Sequence, residues 1–347
     1  ALPGIELGRQ LRPRWTTPGA PGSLRREEEA ESDTDWLSEA EELLDKRVGT
    51  EGQPGWRAKV QDHPGGSTLV LAVNHALTDW RRSLLVARSF VRGSTSPGEL
   101  APPCEELLPA SAFSAPNAGE LIEEWWTSRA GALWETAGLD RLTGILPPPR
   151  RTRLRLARLP QAETDRLQRR CEAEGVSLNS ALAIAVRDVM ELSAVAHSVD
   201  MERFIRPAPP PGPGLAVSHV FTALPPGEFW EAARENRSLL FEQIKAGAAG
   251  DALLVLPRLL LRPGTTPSYE RAAMTITGGP TVRSRQDPSG DDEDEVMQVV
   301  LSSARGGGGI LILSFHGRCL QLVAGSPEDQ PEVPLPAIVD RLLSASQ

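Results

Sequence analysis

Apolar and polar positions divide this chain into short runs punctuated by glycine and proline. The clearest run, Thr68-Leu69-Val70-Leu71-Ala72-Val73, follows Pro64-Gly65-Gly66 and predicts a buried strand leaving a turn. Gly55-Trp56-Arg57-Ala58-Lys59-Val60 predicts the strand before it, so the two read as a hairpin entering Asn74-His75. Upstream, Asp35 to Leu44 predicts a short acidic helix with Leu37, Leu43 and Leu44 as its apolar positions. Residues 1–33 are rich in Pro, Gly and Arg and predict a flexible segment, with at most a strand near Ile5 to Leu11. Downstream come an apolar-rich helix over Arg81 to Val91 and a Pro/Ser/Ala-rich connection over 93–116. A helix opening at Asn117 follows, whose apolar stripe (Leu121, Ile122, Trp125, Trp126, Ala130, Leu133) reads as packing.

Pro147-Pro148-Pro149 marks a break. After it, Arg150-Arg151-Thr152-Arg153-Leu154-Arg155-Leu156 alternates as a strand with one arginine-rich face. Glu163 to Glu174 predicts a helix stopped by Gly175, and Ser177 predicts the cap of a buried helix running to Met190. Strands follow over Val199 to Ile205 and Leu215 to Leu224, joined by a proline loop. Helices follow over Phe229 to Ile244 and Ala249 to Leu261. A strand over Ala272 to Ile276 ends in Thr277-Gly278-Gly279-Pro280. Strands over Val296 to Leu301 and Gly309 to Phe315 are joined around Arg305-Gly306-Gly307-Gly308, and a helix over Pro334 to Ser344 closes the chain. The fold class expected is mixed α/β in two lobes, 34–149 and 150–347, meeting at the histidine.

Composition narrows the function. A hydrophobic content of 40% with 24% charged residues fits a globular protein with enough chain for two cores. The formal charge of −9 excludes a general nucleic-acid binder, whose affinity rests on clustered Lys and Arg. Cys104, Cys171 and Cys319 stand far apart, without metal or disulfide spacing, and read as reduced thiols of a cytoplasmic protein. No apolar run is long enough for a bilayer span, and Ala1-Leu2-Pro3-Gly4 carries no signal-peptide pattern. The chain starts without methionine, so processing or a longer parent is expected. The acidic run Asp291 to Glu295 reads as solvated loop and not as a metal site, and the glycine run lacks the Lys-Ser/Thr of a phosphate loop.

The candidate chemistry lies at the end of the central hairpin. His75 ends the strand and Asp79 follows four positions later. A histidine there can take a proton from a hydroxyl or amine and return it, because its ordinary pKa lies near neutrality. His63, His197, His219 and His316 fall in a turn, near a helix end, in a strand and in a hairpin, and read as satisfied polar groups. There is no G-x-S-x-G nucleophile elbow.

Asn74-His75-Ala76-Leu77-Thr78-Asp79-Trp80 resembles the HHxxxDG motif of acyltransferases with the chloramphenicol-acetyltransferase-like fold. That superfamily includes nonribosomal-peptide condensation domains, polyketide-associated acyltransferases and alcohol acetyltransferases. Asn74 stands for the first histidine and Trp80 for the glycine. The Gly55-Trp56-Arg57 strand resembles the strand that precedes that motif, and the helix pair across Gly175 to Leu182 resembles the pair opening the superfamily's second lobe. The position of Thr277-Gly278 resembles a late "SNLG" element, without its letters.

The resemblance implies two lobes with a cleft or tunnel between them. It implies an acyl group moved from a coenzyme A or carrier-protein thioester to an alcohol or amine. His75 is then the general base, and Asp79, turned inward to an arginine, supports the motif together with Asn74; a carboxylate near a buried strand end needs an arginine or backbone N–H groups as partner. Trp80, Thr277 and Gly278 become candidates for the substrate channel, and Arg151, Arg153 and Arg155 for the phosphates of coenzyme A or an acidic carrier. The same arginine face reads equally as a solvated strand face. The expected partners are a small-molecule donor and acceptor and an acyl carrier protein, with a monomeric chain and no resident cofactor or metal. Trp80 keeps a second implication open: a catalytically degenerate binding or scaffold protein of the same fold, because an indole occupies space that glycine leaves free.

Overall fold

The computed structural model of the chain describes residues 4–7, 13–16, 24–27, 36–46, 48, 55–63, 66–74, 78–79, 82–83, 87, 104–114, 151–208, 214–259, 273–282, 309–316, 318–328 and 330–347. The chain divides into two compact units. The first takes Ala1–Thr152, Asp200–Val217 and Gly250–Thr265, and the second takes Arg153–Val199, Ser218–Ala249 and Thr266–Gln347. The second half of the chain thus returns two segments to the first unit.

In the first unit, β1 (Gly4–Leu7) pairs antiparallel with β2 (Pro13–Thr16), and β3 (Leu24–Glu27) runs parallel to β4 (Trp56–His63). Strands thus stand where the composition of 1–33 suggested a flexible segment. β1, near the strand expected at Ile5, pairs with the neighbouring β2, whereas β3 takes its order from the distant β4, which local composition does not encode. β4 pairs antiparallel with β5 (Gly66–Val73), from His63↔Gly66 at the turn to Trp56↔Val73 at the open end. This is the expected hairpin.

Helix α1 (Trp36–Asp45) packs on β4 and β5. It buries Trp36, Ala40 and Leu43, at helical spacing, while Leu37 and Leu44 are only half-buried. Lys59 projects from β4 onto this helix and pairs with Glu39 and Glu42. Hydrogen bonds from Lys46 and Lys59 hold the Glu42 carboxyl down at about 2. The 93–116 connection contains α2 (Cys104–Leu107) and a 3-10 turn over Ala110–Ala112. At Gly250 a Cβ would overlap the Ala112 carbonyl, so this position requires glycine.

The second unit is built on a six-stranded mixed sheet in the order β6-β11-β10-β9-β7-β8. Its strands are β6 (Thr152–Leu159), β7 (Ala194–Asp200), β8 (Val217–Ala223), β9 (Ala273–Val282), β10 (Ile310–His316) and β11 (Cys319–Pro327). The helices are α3 (Gln161–Ala173), α4 (Leu178–Met190), α5 (Phe229–Lys245) and α7 (Leu335–Ala345). A further helix, α6 (Ala248–Leu259), carries the chain back to the first unit.

Gly175 adopts φ +65°, and the N–H groups of Gly175 and Val176 donate to the carbonyls of Glu172 and Cys171. This closes α3 where the glycine predicted it. The Ser177 hydroxyl accepts the Ser180 N–H at 3.1 Å and caps α4, whose Ala181 to Val186 are fully enclosed. These residues pack with Val195, Met274, Ile276, Leu311, Leu313, Leu320 and Leu322 of the sheet and Ile338 and Leu342 of α7.

Two strand boundaries are corrected. The strand expected over Val199 to Ile205 lies at Ala194–Asp200, and Met201–Phe204 is a 3-10 turn capped by the Asp200 carboxylate. Glu191, at φ 54°, ends α4 abruptly, so the chain re-enters the sheet earlier than its β-branched content suggests. β9 also continues through Thr277-Gly278 to Val282 and does not stop at Ile276. β10 lies between β11, antiparallel, and β9, parallel. The partner strand expected over Val296 to Leu301, the helix from Asn117, most of the helix after Arg81 and the acidic run lie outside the described residues.

Candidate active site

β5 delivers Asn74, whose backbone N–H donates to the Gly55 carbonyl at 2.9 Å and whose side-chain amide donates to the Val48 carbonyl at 2.7 Å. The position that holds histidine in the resembling motif is here a strut between the hairpin end and the segment before it. His75 and Trp80 lie outside the described residues. The chain is fixed again at Thr78, which forms a parallel bridge with Gly214, and at Asp79, whose N–H donates to the Gly214 carbonyl at 3.2 Å.

Asp79 is buried, and its carboxylate is committed on both oxygens. Oδ1 accepts the Arg82 N–H at 3.0 Å, three residues on, the geometry of a helix N-cap. Oδ2 accepts the Ala216 N–H at 2.9 Å. The Asp79 carbonyl takes both the Ser83 N–H and the Ser83 hydroxyl at 2.8 Å. Burial raises the Asp79 pKa above its ordinary value, opposed by the two backbone N–H groups and the Arg82 charge. Of the two kinds of partner expected for this carboxylate, an arginine or backbone N–H groups, the backbone N–H groups satisfy it directly. The Arg82 guanidinium turns to Glu202 instead, with Nε at 2.8 Å and Nη2 at 2.7 Å from Oε1.

The other sequence-derived candidates fall in the second unit or at its boundary. Thr277 is buried in β9 opposite Ile312, on the alternate face from Ile276 and Leu311, which join the helix-covered core. Gly278 meets the helix layer instead: a Cβ there would stand 3.1 Å from the Asn179 amide nitrogen of α4. The two channel candidates thus serve opposite faces of one strand.

Arg153 donates to the carbonyls of Glu328 and Gln330, and Arg155 is paired with Glu332. Arg151 is exposed, 4.0 Å from Asp45. The arginine face of β6 is engaged by the 328–332 segment, a partner 175 or more residues away that spacing could not reveal.

His197, read from sequence as lying near a helix end, is fully enclosed in β7. Its Nε2 lies 3.1 Å from the Thr222 hydroxyl, which also accepts the Asn236 amide at 2.9 Å. Burial pushes the His197 pKa down to about 4, so the ring is neutral. Asn236, within Asn236-Arg237-Ser238, is likewise enclosed and committed to this cluster.

Cys104 and Cys171 are buried, Cys319 is partly exposed, and burial lifts the Cys171 thiol to about 11. Among the described residues no group of His, Cys, Asp and Glu could hold a metal ion, and no helix is long and apolar enough to cross a membrane.

No protein-family model matches the chain, and no curated protein matches it by sequence. Solved structures do match in shape. Polyketide synthase associated protein 5 from Mycobacterium tuberculosis superposes with a TM-score of 0.60 at 12% identity, covering 100% of this chain and 86% of that one. The first condensation domain of the calcium-dependent antibiotic synthetase, in complex with a substrate analogue, gives 0.57 at 16% identity, over 99% and 84%. The epimerization domain from the third module of tyrocidine synthetase B gives 0.56 at 16%, over 94% and 79%. The chain has the two-lobed condensation-domain fold, the chloramphenicol-acetyltransferase-like architecture that the motif suggested.

Proposed function

We propose that the chain transfers an acyl group from a coenzyme A or carrier-protein thioester to an alcohol or amine, with His75 as general base. The observation that carries this reading is the inward commitment of Asp79. Both its oxygens are spent on backbone N–H groups, which suits an aspartate that shapes the motif loop and leaves the chemistry to the histidine four residues earlier. The fold supports the same class of reaction, since its structural neighbours include condensation domains.

In the proposed step, His75 removes the proton from the acceptor hydroxyl or amine as its oxygen or nitrogen attacks the thioester carbonyl. The tetrahedral intermediate collapses, the carbon–sulfur bond breaks, and the thiolate takes the proton back from the imidazolium. No covalent acyl-enzyme forms. The thioester is a co-substrate, and a carrier protein is the macromolecular partner. Trp80 keeps the channel assignment that the motif gives it in this reading. Gly278 and Asn74 serve as packing and support, and Arg151 is the member of the β6 arginine set left for a donor phosphate.

A second reading, a non-catalytic binding protein of the same fold, draws on Asn74. Its amide is spent on the Val48 carbonyl, so the position of the motif's first histidine is structural here. The two readings separate in a screen of acyl-coenzyme A and acyl-pantetheine donors against alcohols and amines, with ester or amide product detected by mass spectrometry. Product that disappears in His75→Ala supports transfer. A broad screen without product supports the binding protein.

A further inference from the structure

The turn that begins at Asp79 has a second acidic anchor. Arg82, buried to 4% exposure, places Nε and Nη2 on one oxygen of Glu202, which lies 120 residues further along the chain. Glu202 is itself held: its N–H donates to the Asp200 carboxylate at 3.0 Å, and the neighbouring Met201 N–H donates to the Ala216 carbonyl at 2.8 Å. Ala216 in turn donates to Asp79 Oδ2. The bonds close a circuit running Asp79, Ala216, Met201, Glu202, Arg82 and back to Asp79, all within the first unit.

We propose that Glu202 is a positioning residue for the motif, a role that rests on the acyl-transfer reading. Asn74 anchors the chain before His75, and the circuit anchors it after Ala76 and Leu77. Burying an ion pair gains little net stability, because desolvation offsets most of the attraction, whereas it does select one arrangement of the groups it joins. Asp79 alone fixes the turn through backbone N–H groups. Glu202 fixes which way Arg82 leaves it, and so the rotation of the turn against Met201–Phe204. The segment Asp200–Val217 lies in sequence between two strands of the second unit's sheet yet belongs to the first unit, where it carries both anchors.

The test uses the full chain with Glu202→Gln, Glu202→Asp and the charge swap Arg82→Glu with Glu202→Arg. For a positioning residue, Glu202→Gln lowers kcat for His75-dependent transfer by at least about tenfold with KM unchanged, and Glu202→Asp recovers part of it. Amide exchange speeds up at Arg82 and Ser83 while exchange in α4 stays as in wild type, and the swap restores protection. Exchange at Arg82 and Ser83 equal to wild type in Glu202→Gln overturns the proposal, as does a kcat loss accompanied by faster exchange in α4, which marks general destabilisation. If the wild-type chain shows no transfer, the acyltransferase reading fails, and the exchange measurements still decide the role of Glu202.

Discussion

The Asp79 carboxylate accepts the backbone N–H of Ala216 at 2.9 Å across 137 residues of sequence. With the Arg82 N–H on the other oxygen, this one side chain joins the end of the central hairpin to the segment Asp200–Val217 and starts the helical turn that follows. Replacing it by alanine leaves two buried N–H groups without acceptors. Asp79→Ala is expected to lower the unfolding free energy by about 2–6 kcal/mol, from roughly 1–3 for each of the two stranded groups, as read by urea denaturation. A variant that unfolds like wild type yet has lost transfer would move Asp79 from the structural role into the chemistry.

Stability should fall on acidification through His197. The ordinary histidine value is 6.5 and burial lowers the folded value to about 4. The unfolded chain therefore takes up the proton first, and the contribution present above pH 6.5 is lost as pH falls toward 4. The shift corresponds to about 3 kcal/mol at most. Thermal melts between pH 7 and pH 4 should show a slope that His197→Leu flattens; an unchanged slope would place the acid sensitivity elsewhere.

How far the sequence reveals this molecule depends on the range of each interaction. The hairpin from Trp56 to Val73, the Gly175 stop and the Ser177 cap were legible because each is set by residues within a few positions of one another. β7 was misplaced because Ala194-Val195-Ala196-His197 has little β-branched content and gains its strand geometry from pairing with β9. The same limit hid the arginine partners. Arg153 and Arg155 meet chain 175 or more residues away, and the Arg82 guanidinium finds Glu202, 120 residues on. His75 and Asp79 were legible as a motif, as was the need of the Asp79 carboxylate for an arginine or backbone N–H groups, but not that Arg82 and Ala216 supply them.

The α4 cap gives a local control. Ser177→Ala removes the acceptor of the Ser180 N–H and is expected to cost about 1 kcal/mol, measured as a shift of the denaturation midpoint without change in slope. A change in slope would mean that the substitution alters more than the cap.

Thiol reactivity should follow burial. Cys104 and Cys171 are buried and Cys319 is partly exposed. In native protein an alkylating reagent at neutral pH should label Cys319, with Cys104 and Cys171 labelled only after denaturation. Rapid labelling of Cys171 in the folded chain would contradict a thiol held up near 11.

Acyl transfer by His75 is tested most directly by the initial rate of free-thiol release from an acyl-coenzyme A or acyl-pantetheine donor, with and without an alcohol or amine, for wild type, His75→Ala and Trp80→Gly. Acceptor-dependent release is expected in wild type and its loss in His75→Ala. Release that appears only in Trp80→Gly would identify the natural chain as the degenerate binding protein. Acceptor-dependent release that persists in His75→Ala would contradict the assignment of His75 as the base.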